Sequence, residues 1–378
     1  MIGSRCVYMS KPIRVLHVIG IMNRGGAETL IMNLYRCIDR TKVQFDFVEG
    51  SSAKAVFDQE IMELGGRIYR CPRFNGKNYL VYRKWWIDFF NEHASEYTAV
   101  HGHIGSTAAI YLSIARKYGL HTIAHSHNTY DSFNLRQFPY RVMSFPTRFI
   151  ADSFFACSED AGISRFGKKV NFKVINNGID TTSFAFNESI RRSVRKELGI
   201  DENTCVLGHV GRFSKQKNHV FLIEIMKQMV EKNENCLLML VGDGHLRKEI
   251  EEKADSYSLK DKVMFLGVRE NISELLQSMD VFVFPSLYEG FGIAALEAQT
   301  SGLPVLCSDK VSSDCYVTDL VHPLPLDAGA EQWADTAIQL SKYIRTSYTQ
   351  QVKDKGFDIK DVAAELQSFY LKAGNHHE

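Results

Sequence analysis

Residues 281 to 305 concentrate the groups best able to do chemistry: Glu289, the run Gly290-Phe291-Gly292, and Glu297 further along the same stretch. The apolar run Val281 to Phe284 ends at Pro285, as a buried parallel strand would. The residues after Gly292 have helical composition. Glycines let backbone N–H groups approach an anion closely, and the N-terminus of a following helix adds a favourable dipole. Carboxylates would repel phosphate, so the glutamates are better suited to accept hydrogen bonds from sugar hydroxyls. Strand, acidic turn and helix together describe a pocket for a sugar nucleotide. The bare Glu–Glu spacing is weak evidence, because an ordinary strand–turn–helix with solvated glutamates shares it.

Cations stand on another loop. Gly211-Arg212-Phe-Ser-Lys215-Gln-Lys217-Asn218 follows the apolar run Val206 to Val210. A guanidinium and an ammonium at one strand end would clamp a diphosphate whose charge rises as it departs. Lys215 competes with Lys217 for the ammonium's place, and a merely solvated basic loop has the same composition. Gly25-Gly26 lies between the run Ile13 to Gly20 and a helical stretch from Ala27 to Cys37, where its backbone could approach a phosphate or sugar. It lacks the Gly-x-Gly-x-x-Gly spacing, which counts against a dinucleotide fingerprint and a nicotinamide dehydrogenase. Gly242-Asp243-Gly244 and Gly267-Val268-Arg269 close two further runs, and Asn177-Gly178-Ile179-Asp180 reads as a structural turn. His101 with His103, and His125 with His127, sit two apart near predicted strand ends. Residues i and i+2 share a strand face, so the pairs could hold zinc. No cysteine pair or acidic trio completes the set, so no metal is expected.

Elements that position these loops alternate along the chain. Apolar runs at 13–20, 45–48, 98–102, 121–124, 154–157 and 172–175 form one series, and 206–210, 237–241, 263–266, 281–284 and 304–307 a second. Helical stretches separate them, which predicts parallel sheets flanked by helices in two doubly wound domains. The expected division is 1–186 and 187–357, with Asn187 to Leu198 as a linker or bridging helix. An amphipathic helix, 358–376, is expected to pack back on the first domain. Ligands in such sheets sit beyond the strand C-termini. A chain of 378 residues fits two domains, and 45% apolar with 24% charged residues is ordinary for a globular protein.

Eight cysteines contain no Cys-x-x-Cys pair, so free thiols in a reducing cytosol are expected. Met1 to Pro12 has no long apolar core and no window holds eighteen apolar residues, so neither a signal peptide nor a membrane span is expected. A cytoplasmic location follows, with peripheral attachment to the inner face of the membrane as an option. The net charge of +1 divides into +8 over residues 1–186 and −7 over the remainder. A basic first half suits an anionic membrane surface or a lipid pyrophosphate, or an electrostatic match to the acidic half. Tyr82-Arg83-Lys84-Trp85-Trp86 and the stretch Arg136 to Phe149 interleave cations with aromatic rings, as an interfacial segment does. Core helices with snorkelling arginines share that composition. No recognised motif points to nucleic acid.

The quoted segments resemble the retaining glycosyltransferases of family 4, near the exopolysaccharide and capsule transferases of the EpsF type. Glu289 and Glu297 match the Glu-x7-Glu motif, within Pro-Ser-x-Tyr-Glu-Gly-Phe-Gly and before Gly-x-Pro-Val; Arg212 and Lys217 match Gly-Arg…Lys-Gly. Asn218 stands where the family usually has glycine, and Asn176 replaces a proline. The resemblance implies the GT-B fold, two Rossmann-like domains with a cleft between them. The first domain would hold a glycan or polyprenyl-linked acceptor and the second an NDP-sugar, most readily UDP-linked. It implies transfer of a hexosyl unit with retention, by a same-face, oxocarbenium-like route without a metal or other cofactor. Arg212, Lys217 and helix N-termini would neutralise the departing diphosphate. Glu297 would hold the ribose hydroxyls, and Glu289 with the Phe291 and Gly292 amides would position sugar and phosphate. Gly25-Gly26 would face the nucleotide-sugar, Gly242 and Gly244 would turn near the nucleotide, and the backbone at Val268 would meet the base. His103 matches the active-site histidine, with His127 as a second candidate beside donor or acceptor. A sugar-nucleotide epimerase of the same fold would share the clamp but need no acceptor. A non-catalytic nucleotide-sugar-binding protein would show no donor hydrolysis.

Overall fold

The computed structural model describes residues 11–23, 25–127, 138–289 and 291–374. The chain divides into two compact units, one of residues 1–178 and 359–378, the other of 179–358. The first unit is built on a seven-stranded sheet of β1 (Ile13–Ile19), β2 (Val43–Glu49), β3 (Ile68–Arg70), β4 (Ala99–Gly102), β5 (His121–Ser126), β6 (Ser153–Ala156) and β7 (Lys173–Val174). Its order is β3-β2-β1-β4-β5-β6-β7, and every pairing is parallel. The second unit holds six strands, β8 (Cys205–Val210), β9 (Cys236–Val241), β10 (Val263–Gly267), β11 (Val281–Phe284), β12 (Val305–Ser308) and β13 (Val321–Leu324), in the order β10-β9-β8-β11-β12-β13. These pairings are parallel as well.

Each sheet is covered on both faces, which is why its strands read as continuous apolar runs. In β1, Val15 and Ile19 enter one core with the helices Gly26–Cys37 and Ile359–Gly374, while Leu16 and Val18 enter another with Tyr79–His93 and Ala108–Lys117. The C-terminal helix Ile359–Gly374 thus completes the first unit, burying Val362, Leu366 and Tyr370. In the second unit Phe282 and Phe284 share one core, Val281 and Val283 the other. Burying one such side chain contributes about 1.5–3 kcal/mol.

Strands β3 and β13 escaped the reading of the sequence. Both are short edge strands, and β13 carries Pro323, which only an edge tolerates. The stretch after Asn187 is corrected too. Rather than bridging or linking, the helix Glu188–Glu197 belongs to the second unit and packs on the helix Ile272–Ser278. Arg191 and Arg195 both grip Asp280, at 2.5 and 2.8 Å, and Arg195 also donates to the carbonyls of Ser278 and Thr204. The charged composition therefore served packing, not solvent. At the chain crossing, a Cβ on Gly178 would sit 2.9 Å from the Ile359 backbone, so only glycine fits there.

Candidate active site

Both sheets have a topological switch point, where successive strands depart in opposite directions. In the second unit it lies between β8 and β11, which are hydrogen-bonded neighbours. The loops after these two strands therefore leave side by side, in the place where open α/β sheets bind ligands. Backbone bonds fasten them: Leu287 N–H donates to the Gln216 carbonyl at 2.8 Å, and the Gln216 side chain donates to the Tyr288 carbonyl at 3.0 Å. The result joins a cation to an acid. Lys217 Nζ lies 2.7 Å from Glu289 Oε1, with the lysine side chain 18% and the glutamate 8% exposed. The ammonium also sits 4.6 Å from the centre of the Phe284 ring, and that aromatic face adds further attraction. The exposed Lys215 makes no such pair among the described residues, so geometry distinguishes the two lysines. Arg212 is exposed on the same loop, and Phe213 beneath it is buried and stacked on His219 at 4.1 Å. No hydrogen bond or ion pair to the Arg212 guanidinium occurs among the described residues.

Asn218 follows the lysine turn with φ 55° and ψ 45°. That left-handed conformation explains why glycine is usual there and why asparagine, the side chain most tolerant of it, can replace it. Its amide also donates to the Pro285 carbonyl at 3.2 Å, a further tie between the loops.

After β11, Gly292 adopts φ 81° as the N-cap of the helix Ile293–Thr300, which carries Glu297. Phe291 is buried and stacked on Phe357; Gly290 lies outside the described residues. Glu297 is half-buried and burial pushes its carboxyl group up to about 8, so it is largely protonated at neutral pH. No hydrogen bond or ion pair to that carboxyl group occurs among the described residues. Gly242 and Gly244 turn the chain after β9 against the β8 loop. A Cβ on Gly242 would fall 2.1 Å from the Gly211 carbonyl oxygen, and one on Gly244 2.4 Å from that of Phe213. Their backbone packing alone demands glycine. Val268, after β10, is 57% exposed.

In the first unit the switch point lies between β1 and β4. Gly25, at φ −140°, is the N-cap of the helix that begins at Gly26, and the Glu28 carboxylate folds over it, 2.3 Å from where a Cβ would be. Beside this switch point is a cavity of about 1090 Å³, lined by Gly20, Ile21, Ser51, Phe74, Tyr82 and Tyr140 among others. His103 and His127 stand at strand ends and meet, Nδ1 to Nε2, at 2.7 Å. His103 Nε2 also meets His17 Nδ1 at 3.0 Å. His101 bridges His125 at 3.1 Å and the Tyr370 hydroxyl at 2.6 Å. Burial depresses all these imidazoles, His17 and His127 to about 3 and the others well below the usual range, so the rings are neutral. Sequence reasoning missed His17 and Tyr370. Each is a lone polar residue in an apolar pattern, and only strand register and the returning helix bring them to the array.

Of the two cationic–aromatic segments, the first takes the core-helix alternative. Tyr82 and Trp86 are core residues, 2% and 0% exposed, filling the space against Tyr111. The exposed side chains lie just ahead, at Tyr79, Leu80 and Val81. In the second segment Tyr140, Val142, Phe145 and Phe149 are exposed, with Arg148 4.1 Å over the Phe145 ring; Arg136 and Gln137 lie outside the described residues. No described helix is long and apolar enough to cross a membrane.

Comparison with known proteins matches each unit to a family model. Residues 24–183 match the model described as Glycosyltransferase Family 4, and residues 190–344 that of Glycosyl transferases group 1. The putative glycosyltransferase EpsF of Bacillus subtilis (strain 168) is 36% identical over 370 residues, covering 94% of this chain and 96% of that protein. The UDP-Gal:alpha-D-GlcNAc-diphosphoundecaprenol alpha-1,3-galactosyltransferase of Escherichia coli is 37% identical over 153 residues, 39% of either chain. The crystal structure of Anabaena Alr3699/HepE in complex with UDP and glucose superposes with a TM-score of 0.76 at 19% identity, over 94% of this chain and 99% of that one, and shows the shared fold. With a 36% identical relative spanning nearly its whole length, the chain belongs to the glycosyltransferases, pairing a family 4 unit with a group 1 unit on the GT-B fold.

Proposed function

We propose that the chain moves a hexosyl unit from a UDP-sugar, with retention of configuration, to a glycan or polyprenyl-linked acceptor during exopolysaccharide or capsule assembly. The observation that carries this reading is the Lys217–Glu289 pair beside Arg212, at the switch point between β8 and β11. A diphosphate entering there meets two cations, and drawing Lys217 towards it frees Glu289 to accept bonds from sugar hydroxyls. As the bond from the anomeric carbon to the phosphate oxygen breaks, Arg212 and Lys217 offset the growing charge on the leaving group. The acceptor oxygen bonds to the anomeric carbon on the face the diphosphate leaves, and its proton passes to the departing phosphate oxygen. Two cations already offset the charge on the leaving diphosphate, so the proposed transfer invokes no metal or cofactor.

The likeness to a structure holding UDP and glucose supports the donor, and the name of the Escherichia coli relative supports a lipid diphosphate acceptor. In the first unit, the aromatic and hydroxyl lining of the cavity suits a saccharide acceptor; His103, just after β4 and not among the lining residues, is a further polar candidate for a sugar. Thermal shifts with UDP- and GDP-sugars, followed by NMR of the product's anomeric configuration, test the reading. Stabilisation by GDP-sugars alone, or an inverted product, would overturn it.

The same proposal places the chain peripherally on an anionic membrane. Tyr79, Leu80, Tyr140, Phe145 and Phe149 are exposed in a unit rich in Lys and Arg, and Tyr82 and Tyr140 line one cavity. Co-sedimentation with vesicles containing anionic lipid is expected at low salt and should weaken as salt is raised. Equal binding to neutral vesicles would sink it.

A further inference from the structure

The histidine array poses a question that sugar binding does not answer. Three adjacent strands, β1, β4 and β5, bring His17, His101, His103, His125 and His127 together at one end of the sheet. Two of the rings, His17 and His125, are 1% and 2% exposed and each has a buried Nε2 with no partner among the described residues. A buried nitrogen without a partner costs about 1–3 kcal/mol, and an ion is one of the usual reasons a fold retains it. Two trios, His17–His101–His103 and His103–His125–His127, each present one ligand atom per ring within 4.8 Å of one another.

We infer that His103, His125 and His127 bind one divalent cation of the zinc class. Imidazole trios without carboxylate select zinc, copper, nickel or cobalt, not the hard magnesium or manganese that would partner a diphosphate. This trio has the better access, because His103 and His127 are partly exposed, whereas His17 and His101 are each 1% exposed. It also has the better outer support. With His103 Nδ1 on the ion, its Nε2–H donates to His17; with His125 Nε2 on the ion, its Nδ1–H donates to His101, which in turn reaches Tyr370. Ligating histidines are oriented by such bonds from the far ring nitrogen.

Zinc–nitrogen bonds of about 2.0–2.1 Å separate tetrahedral ligands by about 3.4 Å. The 2.7 Å contact between His103 and His127 must therefore open by about 0.7 Å and exchange a hydrogen bond for two metal bonds. Arg165 bears on His125 and His127 with like charge and limits the affinity. A neutral His103 has a single lone pair, so only one of the two trios can be filled, and one ion is the ceiling for this array. Occupancy would withdraw His103 from any sugar, a consequence that rests on the proposed function; binding itself does not.

The test uses the full chain without a polyhistidine tag, stripped by a chelator and titrated with zinc against a chromophoric competitor at pH 7.5. One equivalent is expected, weakened at least 100-fold by His103→Ala and by His127→Ala, and about tenfold by His17→Phe. Magnesium should give no thermal shift. Melting of each metal-free variant checks that it folds, with His127→Gln as the milder replacement if His127→Ala does not. No stoichiometric zinc, zinc retained by the folded His103→Ala or His127→Gln variants, or a larger loss in His17→Phe than at His127 would each overturn the assignment.

Discussion

Glu297 makes donor affinity depend on pH in a direction that can be worked out beforehand. Burial alone holds its carboxyl group at about 8 in the free protein, with no cation among its causes. If the carboxylate accepts bonds from ribose hydroxyls, the charged form is the one that binds, and binding releases a proton. The sign follows. The group is neutral below about 8, so affinity is lost as pH falls through that value. With only the ionised form competent, apparent affinity should drop about 25-fold, or about 1.9 kcal/mol, between pH 8.5 and 6.5. The folded state keeps this proton above the 4.5 of an ordinary glutamate, so Glu297 also makes folding less favourable as pH rises from there to about 8. Calorimetry with UDP-glucose at several pH values, in buffers of different ionisation enthalpy, reads both slope and proton release. A sugar ester is preferable to UDP because a terminal phosphate titrates near about 6. Glu297→Gln should bind more weakly at pH 8.5 and show no slope. A flat or opposite slope in the parent chain, or the same slope in Glu297→Gln, would refute the reasoning.

Three other perturbations test the surrounding frame. Removing Lys217 as alanine should lower kcat/KM about 100- to 1,000-fold, as loss of one charge-stabilising group does; rates near the parent's would remove it from the clamp. Replacing Asp280 by alanine leaves Arg191 and the 3% exposed Arg195 without their shared carboxylate, and should destabilise the second unit by about 3–5 kcal/mol in denaturant unfolding. An unchanged midpoint would contradict the assigned role of the 188–197 helix. At position 218, Asn218→Gly should be close to neutral in stability while Asn218→Ala loses about 1–2 kcal/mol, because the left-handed backbone penalises a Cβ that makes no compensating bond. Equal stability of the two variants would show that φ is not the constraint.

Much of the fold was legible because parallel strands buried on both faces leave uninterrupted apolar runs. Val281 to Phe284 and Ile13 to Ile19 are plain in the sequence, and both are interior strands of their sheets. The edges were not legible: Ile68–Arg70 is three residues long and Val321–Leu324 contains a proline. Charge patterning misled at Arg191 and Arg195, since a long guanidinium on a helix reads as solvated until a buried carbonyl or Asp280 is seen beside it. Aromatic patterning left Tyr82 and Trp86 open between an interface and a core, because rings flanked by cations suit either, and only their burial decided for the core.

What the sequence itself determined were residue type and local spacing: glycine where a turn must pass close, acids after one strand, cations after another. That information is local, and local backbone preference enforces it. Only the tertiary structure decided that Lys217, not Lys215, meets Glu289, because that pairing depends on β8 lying beside β11 with more than seventy residues between them. The same holds for His17, which joins His103 across 86 positions of sequence through parallel register alone. Strand order is set by burying both faces of the sheet, a global condition that no short segment records.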